Sequence, residues 1–294
     1  MNTNSNWSEY LRRKQDSWRA EENLISDTGE GSEDERIQRM FLLCQDRIET
    51  GYHLLEIMDA EESQAFERYK SKQQVSTKDD SAQDLMPDAT RQAGVTLEHE
   101  IEHVFNDALE DMLRLESPTV GLSFLLDLRR CYEGLSRVYT ALADNELTSE
   151  MARSAIEVRY RLLPYHKDKR AERLEIADEL GALVFTSGVD FQGKKMGVKE
   201  WGIAAQNHLQ SHEIYCELIS EEPSGQAEID GLLHTTAILI RVFIPDSDSR
   251  ERQSLITAVK RALSLLEDKD QNGGLTAEQA EEYVQIKEDS SKLI

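Results

Sequence analysis

Apolar residues return every three or four positions along almost the whole chain, and no stretch alternates apolar and polar side chains for long enough to make a strand. That period restricts the fold to packed helices, because an apolar stripe on one side of a helix must be buried against another element. From Glu33 to Val75 the stripe is Ile37, Met40, Phe41, Cys44, Ile48, Tyr52, Leu55 and Met58, enough for one long helix or two. Thr96 to Leu115 carries Leu97, Ile101, Val104, Phe105, Ala108, Leu109, Met112 and Leu115 on one face. A third segment opens at Ser117-Pro118, a capping serine with proline in the first turn. It runs through Leu122, Leu125, Leu126, Leu128, Leu135, Val138, Tyr139 and Leu142 to Asp144-Asn145. Thr148 or Ser149 opens the next, which Pro164 closes. Further helices are expected over 168–187, 198–220, 225–243, 248–267 and 276–289. Two of these begin with capping-box pairs, Asp248 with Glu251 and Thr276 with Gln279.

The class is therefore all-α. Short connections favour antiparallel neighbours, but a closed bundle and an open solenoid both satisfy the pattern, and periodicity leaves the two open. Only 15 Gly and 5 Pro punctuate the 294 residues, which fits helices better than a turn-rich sandwich. Residues 1–32 combine a helical stretch (Ser8 to Leu24) with the breaker-rich run Ser26 to Ser32, and are expected to be a flexible N-terminal arm. Residues 33–75 form an N-terminal helical element, 76–94 a linker poor in large apolar side chains, and 95–294 a domain of helical repeats.

Charge narrows the partners. Lys and Arg number 34 against 57 Asp and Glu, a formal net charge of −23, so the average surface repels nucleic-acid backbones and anionic lipid. No apolar run reaches the roughly 18–20 residues of a membrane span. Cys44, Cys131 and Cys216 lie far apart with no CxxC pair, the usage of a reducing compartment. A nuclear or cytoplasmic protein is expected, one that binds neither nucleic acid nor membrane directly.

Two stretches follow the tetratricopeptide pattern, in which helix pairs repeat over about 34 residues with small residues at their crossings. Gly134-Leu135 and Tyr139 stand in a first helix, Ala152 and Ile156 in a second, and Pro164 ends that unit. Leu180-Gly181, Val184 and Gly188 then fit a first helix, with Trp201 and Ala204-Ala205 in the second after a long turn. The expected architecture is TPR-like antiparallel helix pairs forming a short α-solenoid. The run Glu175 to Phe185, the turn through Asp190-Phe191, the entry Val198-Lys199-Glu200-Trp201 and the helix Leu232 to Phe243 resemble the repeats of the meiotic sporulation-specific scaffold family. The similarity covers about residues 118–268. Members of that family are TPR proteins that promote synapsis and crossover recombination, and are usually much longer. The resemblance implies a non-catalytic scaffold that holds other proteins in a helical groove, and it supplies no catalytic residues.

Two short motifs invite metal chemistry. His99-Glu100-Ile101-Glu102-His103 matches HExxH, in which histidines one helical turn apart bind zinc and the glutamate activates water. Glu102 puts a charge at an ordinarily uncharged position, and no GxxH follows. Asp268, Asp270 and Asn272 begin like an EF-hand calcium loop with Gly273 at the sharp turn, but Gln279 stands where a bidentate glutamate is needed. A boundary helix face and an ordinary helix–helix turn are the preferred readings, so no cofactor and no resident metal is expected. No phosphate-binding loop, dinucleotide fingerprint or GxSxG elbow is present. Arg12-Arg13-Lys14 and His166 to Arg170 read as solvated helix ends. Trp201 reads as packing between helices, and Trp7 and Trp18 become interesting only if the arm docks.

Overall fold

A computed structural model describes residues 6–27, 32–75, 88–115, 121–186, 198–221 and 225–293. Among these every regular element is helical and no strand occurs. The helices are α1 (Asn6–Asp27), α2 (Glu33–Val75), α3 (Asp88–Leu115), α4 (Leu122–Ala141), α5 (Asn145–Leu162), α6 (Lys169–Thr186), α7 (Val198–Glu221), α8 (Gln226–Ile238), α9 (Ile244–Asp246), α10 (Ser249–Gln271) and α11 (Ala277–Ser291). The chain is all-α, built of packed helix pairs. It divides into two compact units, Met1–Val158 and Arg159–Ile294.

The first unit is organised around Phe105. Its ring on α3 meets Tyr52 of α2 edge-on at 5.5 Å between centroids. Gly51 of α2 and Gly134 of α4 both present bare backbone to the same ring: a Cβ on Gly51 would fall 2.6 Å from Cζ, and one on Gly134 would fall 2.6 Å from Cε1. Two helices thus close on one phenyl ring because neither carries a side chain there. Helix α4 runs parallel to α2, as Phe41 stacks on Phe124, Gln45 donates to Asp127, Arg130 pairs with Glu49 and Arg137 with Asp59. Helix α3 runs antiparallel between them in sequence, its Asp111 on Arg47 and its Phe105 near Gly51.

Several expected boundaries move. The segment 33–75 is a single helix. The stretch expected as a flexible arm is helical over Asn6–Asp27, and Leu11, Trp18 and Ile25 are buried. Of the expected linker, 88–94 already belongs to α3, and 76–87 lie outside the described residues. The expected domain start at 95 falls inside the first unit, since α2 and α3 share the Phe105 core. Helix α5 starts at Asn145 rather than Thr148 or Ser149: Asp144 is its cap, accepting from the Leu147 amide at 3.0 Å, while Thr148 Oγ1 bonds back to the Asp144 carbonyl. The expected cap Ser117 and Pro118 lie outside the described residues, and Gly121 occupies the N-cap position of α4.

In the second unit α6 and α7 are antiparallel, with Ser211 Oγ donating to the Ala177 carbonyl at 2.7 Å and Arg173 reaching Glu217 and Glu221. Tyr215 bonds Asp178 and lays its ring over Gly231 of α8, where a Cβ would fall 2.8 Å from Cδ1. After Ile238 the helix widens to π geometry over Leu239–Phe243. Pro245 follows two residues after the turn, and in a regular helix its ring would strike the Arg241 carbonyl four residues back, so a register shift here accommodates it. The Thr276 capping box forms both of its bonds, and Asp248 accepts from the Glu251 amide.

Candidate functional site

The residues that suggested zinc do not converge. On α3, His99 and His103 are exposed and Glu100 is half-buried. His99 Nδ1 lies 3.3 Å from Glu102 Oε2, while Glu102 Oε1 accepts from the Tyr139 hydroxyl at 3.1 Å. The charge inside the motif is therefore a tie between α3 and α4. The calcium-like loop is likewise built as a helix end. Asp268 and Asp270 are both in α10, two residues or about 200° apart around the helix, so their carboxylates diverge. Gly273 has φ 67°, its amide donates to the Asp270 carbonyl, and the Gly274 amide donates to the Lys269 carbonyl. This is a Schellman stop, and it consumes the carbonyls of the turn. Asn272 turns its amide onto the Asp268 carbonyl at 2.7 Å. Among the described residues, no group of three or more His, Cys, Asp or Glu side chains could hold a metal.

Four members of the basic clusters lie against acids of the same chain. Arg13 pairs with Glu9 and Lys14 with Asp46, Arg170 reaches Glu228, and His166 lies 3.3 Å from Glu172. The small residues of the repeat pattern sit at crossings, although not always the expected ones. Gly134, Leu135, Val138 and Tyr139 are buried, but the close approach at Gly134 is to Phe105 of α3 and not to α5. Gly181 does meet α7 as expected, since a Cβ there would lie 3.3 Å from Ser211 Oγ. Ala204 and Ala205 are buried on the same helix. Gly188 and the side chains of Val184 and Trp201 lie outside the described residues.

What sequence reasoning missed is the polar interior of the second unit. Asn207, His208, Ser211 and His212 of α7 are all fully buried. The Thr235 carbonyl lies 3.0 Å from His208 Nε2, and Thr235 Oγ1 lies 3.1 Å from His212 Nδ1. The Ala258 carbonyl lies 3.3 Å from His212 Nε2, tying α10 to α7. His208 also packs against Phe243 in the π turn, 5.6 Å between ring centroids. The available signal was α7 itself, which is apolar on most of its circumference through Ala204, Ile214, Cys216, Leu218 and Ile219. A helix apolar nearly all round is enclosed, and its polar residues are enclosed with it.

Burial pushes both imidazole pKa values down from 6.5 to about 4, outweighing the raising effect of their backbone hydrogen bonds. The unfolded chain therefore binds more protons than the folded one between pH 6.5 and 4. Stability contributed by the neutral pair is present above pH 6.5 and is lost as pH falls towards 4, at up to about 3 kcal/mol per histidine. Urea unfolding of the wild type should weaken over that window. His212→Gln should have a flatter profile; an unchanged slope would remove this histidine from the acid response.

A second buried charge centre lies at the start of the same unit. Arg159 is 2% exposed and pairs with Glu172 and Glu175, each at 2.6 Å, and with Glu179. Burial opposes its charge, but the bond to Glu172 and the neighbouring Glu179 and Glu175 carboxylates hold the guanidinium above its ordinary pKa.

No family model matches the chain, and no curated protein is significantly similar to it. Among solved structures it is similar to one described as "Computational Design of Self-Assembling Cyclic Protein Homooligomers", with 14% identity, covering 98% of this chain and 96% of that one. The TM-score is 0.31, a level that bears on neither fold detail nor function. No helix among the described residues is long and apolar enough to cross a membrane.

Proposed function

We propose that this chain is a non-catalytic scaffold of TPR-like helix pairs that holds other proteins on its helical faces, and that its setting is meiotic synapsis and crossover recombination. The observation that carries the scaffold reading is the α6–α7 pair. Small residues at Gly181, Ala204 and Ala205 accompany its close crossing, with the Ser211 hydroxyl on the Ala177 carbonyl. A repeat pair needs this packing to leave its outer faces free for a partner. The meiotic setting rests on the resemblance of residues 175–201 and 232–243 to the sporulation-specific scaffolds. The intracellular setting, nuclear or cytoplasmic, goes with it.

Affinity purification of the tagged protein from vegetative and meiotic cells of its own source tests both levels. Synapsis proteins recovered only in meiosis are the expected result. A stable unrelated partner in vegetative cells would discard the meiotic setting and keep the scaffold. Ala182, exposed beside Gly181 on α6, supplies the mechanistic test. Ala182→Arg should reduce partner recovery severalfold with unchanged helix content. Undiminished recovery, repeated across the other exposed positions of α6 and α7, would remove the groove.

A further inference from the structure

Helix α1 is attached in a manner unlike the rest of the first unit. Its buried apolar residues are Leu11, Trp18 and Ile25, one every seven positions. On α3, by contrast, Leu97, Ile101, Val104, Phe105, Ala108 and Met112 are all buried. Between the α1 anchors the contact with α2 is polar and ordered by charge. Asp46 of α2 receives Lys14 Nζ at 2.6 Å on one carboxylate oxygen and the Trp18 indole N–H at 2.7 Å on the other. Glu22 pairs with Arg47, whose guanidinium also lies 5.6 Å from the Trp18 ring, and Glu21 lies 3.9 Å from Arg39. Tyr10 meets His53 edge-on at 5.1 Å. The two helices are antiparallel: Lys14 and then Glu21 on α1 face Asp46 and then Arg39 on α2, while Glu22 reaches back to Arg47 beside Asp46.

Release of α1 strands no buried charge. Arg47 keeps Asp111 of α3, and Asp46 is already 42% exposed. The side of α2 that carries Asp46 and Arg47 also carries buried Leu43, Thr50 and Leu54 at three- and four-residue spacing. Such a face fits an antiparallel helix with an aromatic anchor flanked by Lys one turn before and Glu one turn after, a register fixed by charge as in helical zippers.

We propose that this face of α2 is a helix-docking site, filled in cis by α1 and exchangeable for the α1 of a second copy of the chain. Every copy carries the matching helix, so exchange pairs two chains through reciprocal α1–α2 contacts. The test is fluorescence anisotropy with a labelled peptide of residues 6–27 added to the full chain. Lys14→Glu in the full chain weakens the cis contact at a half-exposed position, so that variant should bind the wild-type peptide at least tenfold more tightly than the wild-type chain does. Raising salt from about 50 to 500 mM should weaken that binding severalfold. The peptide carrying Trp18→Ala should not bind, and Asp46→Asn added to the Lys14→Glu chain should abolish binding. Sedimentation of the wild-type chain should show a concentration-dependent dimer. Equal binding of the wild-type and Trp18→Ala peptides, or no binding to a Lys14→Glu chain that keeps its helix content, would overturn the proposal.

Discussion

Arg159→Met is expected to destabilise the second unit by about 3–5 kcal/mol, among the largest effects a single substitution can have here. The loss does not come from packing, because methionine fills much of the volume of the arginine stem. It comes from Glu172, whose side chain is 7% exposed and whose charge Arg159 neutralises at 2.6 Å. Without the guanidinium that buried carboxylate loses its 2.6 Å partner and keeps the half-exposed His166 imidazole at 3.3 Å, while Glu175 and Glu179 are 66% and 48% exposed and return to water at little cost. The double variant Arg159→Met, Glu172→Gln should therefore recover much of the loss, and Arg159→Met, Glu175→Gln should recover almost none. Chemical unfolding of the four proteins measures this directly. Equal rescue by both glutamines would mean that the triad acts through its summed field, and no rescue by either would make the site a matter of shape.

Arg159 also marks where the sequence stops being legible. Helix period, the Thr276 box and the Gly273 stop are local and could be read, since each is decided by residues within one or two turns. A buried ion cluster is not local: nothing in the surroundings of Arg159 distinguishes it from Arg161, two residues away on the same helix. The docking of α1 is hidden from the sequence for the same reason. With one apolar anchor every seven residues and charges between them, α1 resembles a solvated helix until Asp46 and Arg47 supply partners from another element. The enclosed histidines of α7 follow this rule too, for Thr235 and Ala258, their partners, lie on α8 and α10. The metal motifs show the same limit from the other side. HExxH and the DxDxN run are short local patterns, and local patterns say nothing of the convergence that a metal requires.

Phe105→Ala is expected to cost the first unit about 3–5 kcal/mol, towards the upper end of that range. The cost of a large-to-small change depends on how far the walls collapse into the space. Here two of the walls are Gly51 and Gly134, which have no side chains to move in. The same geometry predicts a reversal of sign. In the wild-type background Gly134→Ala pushes a methyl against the ring at 2.6 Å and should destabilise by about 1–3 kcal/mol. In the Phe105→Ala background that methyl enters the vacated space, and alanine is also the better helix former by about 1 kcal/mol, so the substitution should stabilise. Gly51→Ala should behave in the same way. A coupling of about 2 kcal/mol or more between residues on different helices is what direct contact produces. Additive effects would mean that α2, α3 and α4 do not close on this ring, and that the glycine in the repeat-like pattern at Gly134 serves some other crossing.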